Sequence, residues 1–124
     1  MSFPKDRSIP GAFLVLCGSL LLGISQAQAH AQLVVADPAV NGSVAAPATI
    51  TLQFNEALEA RVSSFKLTDV DGKEIAVMPA PKPDNKSLAA KPAGPLASGL
   101  YTVSWTAVGG DGHPMKGTYS FTVK

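Results

Sequence analysis

Thr49-Ile50-Thr51-Leu52-Gln53-Phe54 alternates polar and apolar residues with a period of two. A β-strand sends successive side chains to opposite faces, so this alternation marks a strand with one buried face. Ser64-Phe65-Lys66-Leu67-Thr68 repeats it, and Val70-Asp71-Gly72-Lys73 then reads as a hairpin turn into Glu74-Ile75-Ala76-Val77. Leu100-Tyr101-Thr102-Val103-Ser104-Trp105-Thr106-Ala107-Val108 is the longest strand candidate, with Trp105 expected in the core. In the last run Tyr119, Phe121 and Val123 alternate with Ser120, Thr122 and Lys124. Residues 31–36 and a short stretch at 86–90 complete about seven strands, which predicts an all-β, antiparallel sandwich of immunoglobulin-like type.

The segments between these runs fit the same architecture. Prolines 38, 47, 79, 81, 83, 92 and 95 fall between strands, where a missing N–H does no harm. Met78-Pro79-Ala80-Pro81-Lys82-Pro83-Asp84-Asn85 reads as an exposed, extended loop. Residues 56–62 (Glu-Ala-Leu-Glu-Ala-Arg-Val) are good helix formers, but they cover about two turns at most, enough for a short helical crossover between sheets.

The chain has 124 residues, one domain's worth, and its apolar excess is concentrated near the start. Residues 12–24 (AFLVLCGSLLLGI) carry no charge and are too short to span a bilayer, which takes about 20. Lys5 and Arg7 precede them, and Ala27-Gln28-Ala29 follows. A basic flank, a short apolar run and an Ala-x-Ala site predict a signal peptide over 1–29, cleaved after Ala29 and directing export to the periplasm. Cys17 leaves with this leader; Leu16 before it is not the small residue that lipid attachment usually requires.

The expected mature domain, 30–124, carries eight Lys/Arg and eight Asp/Glu and is therefore formally neutral. That balance gives no support for nucleic-acid or anionic-membrane binding, and no second apolar run approaches spanning length. The domain is expected to be soluble and monomeric. Without cysteine it must be held by core burial alone, and it has no thiol nucleophile and no Gly-x-Ser-x-Gly elbow.

Any metal site must then use imidazole, carboxylate and backbone nitrogen. Cleavage after Ala29 would leave His30 with a free α-amine and an imidazole, whose Nδ1 can close a six-membered chelate with that amine. The other histidine lies in Gly109-Gly110-Asp111-Gly112-His113-Pro114, where one glycine separates a carboxylate from an imidazole. Together His30, Asp111 and His113 offer four donors, and nitrogen-rich tetragonal coordination suits Cu(II). Each piece also has an ordinary explanation: termini fray, and Asp-Gly is common turn chemistry. The two histidines precede the first and the last strand, which in a seven-strand sandwich can share one end.

These features resemble the CopC family of periplasmic copper-binding proteins. The resemblance rests on the leader ending before a histidine, Asp37-Pro38 with Asn41-Gly42, Leu52-Gln53-Phe54-Asn55-Glu56, and Gly99-Leu100-Tyr101-Thr102-Val103-Ser104-Trp105. Its most specific element is Asp111-Gly112-His113-Pro114-Met115-Lys116-Gly117, followed by Tyr119-Ser120-Phe121-Thr122-Val123. It implies a Greek-key sandwich, Cu(II) bound by the amine and imidazole of His30 with Asp111 and His113, and Glu56 beside the site as weak ligand or supporting acceptor. It also implies a copper-binding role in sequestration, transport or resistance, with a membrane copper transporter as partner. Some members carry a methionine-rich Cu(I) site; after the leader this chain has only Met78 and Met115, so one Cu(II) per chain is expected. Met78 is expected to pack at a strand end and Met115 to neighbour the copper loop.

Two other classes compete. An N-terminal histidine chelate also serves copper-dependent polysaccharide monooxygenases, but those are larger and expose aromatics, so no enzyme is expected here. A metal-free immunoglobulin-like interaction module would need none of the ligands.

Overall fold

The structure, a computed structural model, describes residues 30–124, so the expected leader lies outside the described residues. Nine strands run in chain order: β1 (Leu33–Asp37), β2 (Ser43–Val44), β3 (Ile50–Phe54), β4 (Ser64–Thr68), β5 (Glu74–Ile75), β6 (Ala80–Pro81), β7 (Ser87–Ala90), β8 (Gly99–Val108) and β9 (Pro114–Val123). They form two sheets, β1-β3-β7-β6 and β2-β9-β8-β4-β5. Neighbours distant in sequence, such as β3 beside β7 and β4 beside β8, give the Greek-key sandwich.

The alternation of β3 does what the sequence requires: Ile50, Leu52 and Phe54 are buried. Facing them from the other sheet are Phe65, Leu67, Val103 and Phe121, also buried. Trp105 is partly buried and packs against this core, its ring edge-on to Phe54 at 5.2 Å between centroids. A side chain at Gly117, its partner across the β8–β9 ladder, would collide with the indole. The Tyr101 hydroxyl donates to the Ala97 carbonyl at 2.7 Å and ties down the entry to β8.

Several details depart from the expectation. The seven expected strands gain two more, β2 and β6, each of two residues and too short to show a period. Pro81 therefore lies inside a strand, at the sheet edge where its missing N–H is harmless. Not every pair is antiparallel, since β2 runs parallel to β9. β9 also starts at Pro114, earlier than the alternation suggested, because β8 runs on to Val108 and pairs with it. The helical crossover is a single 3-10 turn at Ala60–Val62. In β1 a register shift between Leu33 and Val35 breaks the alternation and leaves Val34 and Val35 both exposed.

Met78 corrects an expectation outright. It is 87% exposed, flanks an apolar groove with Val77 and Ala90, and packs nothing at a strand end. Among the described residues no helix is long and apolar enough to cross a membrane.

Tyr119 lies within the core with a buried hydroxyl that has no hydrogen-bond partner among the described residues. Burial, with a smaller contribution from the charge of Asp37, pushes it up to about 12. The unfolded chain would release this proton near its ordinary value of 10.0, so between these values the folded state holds more protons and stability falls as pH rises. Tyr119→Phe is expected to flatten that alkaline loss. At neutral pH it should leave the protein at least as stable, because a buried unsatisfied hydroxyl costs about 1–3 kcal/mol. Denaturant titrations of both proteins from neutral pH to pH 11 or so check both outcomes.

Candidate metal centre

The candidate loop is the turn of the β8–β9 hairpin, and its base is fixed from both sides. The Val108 N–H donates to the buried Ser63 Oγ at 3.0 Å, while its carbonyl accepts the Glu59 N–H at 2.8 Å. Within the loop the Gly112 N–H donates to the Gly109 carbonyl at 3.1 Å. Gly112 has φ +78°, a left-handed conformation open to glycine, and so turns the chain sharply between Asp111 and His113. Glu56 supports the loop from the crossover: its Oε1 accepts the Gly110 N–H at 3.0 Å. The fit is close enough that any Cβ at Gly109 would strike the Glu56 carboxylate.

Asp111 divides its two oxygens between structure and site. Oδ1 accepts the His113 N–H at 3.0 Å and shapes the turn. Oδ2 stands 2.7 Å from His30 Nδ1 and 3.5 Å from His113 Nδ1. The His113 backbone N–H holds the Asp111 carboxyl below its ordinary value of 3.8; desolvation opposes this, and the two imidazoles add to it. Asp111 is therefore ionised at neutral pH, as a metal-binding carboxylate must be.

The first half of the site arrives from the chain before β1. Ala31 is fully buried in the core, which brings His30 to the loop. The two imidazole centroids lie 5.6 Å apart. His30 Nδ1 is buried against Asp111 Oδ2. Two donors bound side by side to one ion at about 2.0 Å each would stand about 2.8 Å apart, which matches this pair. One ligand atom from each of His30, Asp111 and His113 lies within 4.8 Å of the others. The nitrogen of His30 that faces the cluster is Nδ1, the one able to chelate together with that residue's own amine.

The three ligand candidates of the sequence thus come together, and the donor set of imidazoles and one carboxylate fits a borderline metal ion. Glu56 falls outside this trio, and its carboxylate accepts from the backbone of the loop. Met115 lies in β9, two residues beyond His113, whereas Met78 sits between β5 and β6. Sequence reasoning missed Ser63 and Asn55. The latter's Oδ1 accepts the Gln32 N–H at 2.8 Å, and an asparagine closing a strand beside a candidate N-terminal arm was the available signal.

Residues 33–124 match the family model of the CopC domain. The chain belongs to the CopC family. It is similar to copper resistance protein C of Xanthomonas campestris pv. juglandis, at 39% identity over 125 residues that span 95% of this chain and 97% of that protein. The crystal structure of PcoC, a methionine-rich copper resistance protein from Escherichia coli, matches with a TM-score of 0.73 and 40% identity, covering 77% of this chain and 99% of that one. Copper transport protein CutJ of Bacillus subtilis (strain 168) matches at 29% identity over 98 residues, which are 77% of this chain but 18% of that protein. The sandwich is therefore a CopC-family fold, and this member has two methionines among its described residues.

Because the Glu56 carboxylate sits where a Gly109 side chain would go, Gly109→Ala is expected to push the two apart and free the Gly110 N–H. Amide exchange at Gly110 should accelerate, and copper affinity should fall about 10–100-fold, as when a ligand's supporting partner is removed. A competition titration with a coloured chelator reads the second outcome.

Proposed function

We propose that this CopC-family protein binds Cu(II) in the periplasm, one ion per chain, through the α-amine and Nδ1 of His30 with Asp111 and His113. The role is sequestration, transport or resistance. The observation that carries this reading is the buried Nδ1 of His30, 2.7 Å from Oδ2 of Asp111, with a ligand atom of His113 within 4.8 Å of both. Three nitrogens and one carboxylate form a donor set that favours Cu(II) among common divalent ions. The names of the relatives from Xanthomonas and Escherichia coli, copper resistance proteins, support the same cargo.

Export is part of the chemistry in this reading. Removal of residues 1–29 creates the amine, and an oxidising compartment suits a chain whose domain has no cysteine to protect. Four donors from the protein occupy the tetragonal plane, which favours holding the ion over activating a substrate on it. The matched region of CutJ is a small part of a longer copper transport protein, and this supports delivery to a membrane copper transporter.

The decisive test compares the processed protein with a form that keeps Ala29 ahead of His30. The processed protein is expected to take up one Cu(II) per chain, and the extended form to bind at least about tenfold more weakly because it lacks the amine. Equal affinities would refute the N-terminal chelate. Acidification should also release copper. The Asp111 carboxyl, held below 3.8, keeps its charge until pH falls through that lowered value. Release at any higher pH must then come from protons competing with copper for the other donors, which a titration of the copper absorption band follows.

A further inference from the structure

The Cu(II) reading leaves a physical problem at His30. A ligand on the first residue of a chain has nothing before it to hold it, and free termini fray. Regular pairing of β1 with β3 begins only at Leu33 and Phe54, three residues into the expected mature chain. The residue after Phe54 is Asn55, which is exposed and makes three contacts with the arm. Its N–H donates to the Gln32 carbonyl at 3.0 Å, and its Oδ1 accepts the Gln32 N–H at 2.8 Å. Its Nδ2 reaches the His30 carbonyl at 3.5 Å, the long limit of a hydrogen bond.

We infer that Asn55 is a positioning residue for copper, extending the β1–β3 ladder by side-chain mimicry so that His30 meets the Asp111–His113 loop in a fixed place. A side-chain amide presents the same acceptor and donor as a peptide group, and here Oδ1 stands in for the backbone carbonyl as acceptor of the Gln32 N–H, while the Asn55 N–H still pairs with the Gln32 carbonyl. The next residue, Glu56, holds the Gly110 N–H of the opposite loop. Two consecutive residues therefore grip the two halves of the site, and the separation of those halves is set by one short piece of backbone. Ala31, buried in the core, adds the apolar anchor. The gain is preorganisation: ordering the arm before binding removes an entropic cost from every binding event.

This inference rests on the Cu(II) reading, and the test separates the two. Four processed proteins are compared: wild type, His30→Ala, Asn55→Ala and Asn55→Asp. Cu(II) affinity, thermal midpoint and amide exchange at Gln32 are measured for each. Asn55→Ala is expected to speed exchange at Gln32 and weaken Cu(II) binding about tenfold, the lower end for loss of an outer partner, while the thermal midpoint stays near that of wild type. Asn55→Asp keeps the acceptor for the Gln32 N–H and should restore slow exchange and most of the affinity. If His30→Ala binds as tightly as wild type, the Cu(II) reading itself fails. If His30→Ala is weak while Asn55→Ala binds like wild type, the positioning role is overturned. If Asn55→Ala is weak but Asn55→Asp restores only the thermal midpoint and not the affinity, the clamp is structural and the inference also falls.

Discussion

The unbroken antiparallel ladder between β8 and β9, from Gly99↔Val123 to Val108↔Pro114, is the constraint on which the other features depend. It supplies Tyr101, Val103, Tyr119 and Phe121 to the core and carries a turn at its far end that projects beyond the sandwich. In a domain without disulfides, such a hairpin can aim a loop only if its last pair is immobile. Ser63 and Glu59 provide that by taking both backbone groups of Val108. The turn of Gly109 to His113 thus inherits its position from the core through one residue.

On this base the site is built by dividing labour within single groups. Asp111 spends Oδ1 on the His113 N–H and leaves Oδ2 for the cluster, so the hydrogen bond that shapes the turn also keeps the carboxylate ionised. Glu56, a charged residue beside a candidate metal site, directs its carboxylate to a backbone N–H of the loop. The same crossover carries Asn55, which faces the other half. Geometry set by hydrogen bonds outside the ligands is how proteins orient donors toward an ion.

Period-two alternation was sufficient to read β3, β4 and most of β8, because each of these strands buries one face. It failed for the first half of β9, where Pro114-Met115-Lys116-Gly117 does not alternate; those residues are strand because β8 continues opposite them, a long-range cause with no local sign. It failed also for β2 and β6, which are too short to have a period. Met78 was expected to pack and is exposed, since its segment links edge strands of the two sheets, β5 and β6, instead of entering the core. For the site, residue type and spacing picked out the three side chains that converge. The split of the Asp111 oxygens, the grip of Ser63 on Val108 and the pairing of Asn55 with Gln32 depend on where non-adjacent segments meet, and no spacing encodes that.

An amine that processing creates at His30 is held to be the first ligand, and native mass of the exported protein with and without Cu(II) tests this. The account predicts a chain that begins at His30 and gains the mass of one copper ion. An N-terminus at another residue that still takes up one copper with full affinity, or a chain beginning at His30 that takes up none, would contradict it.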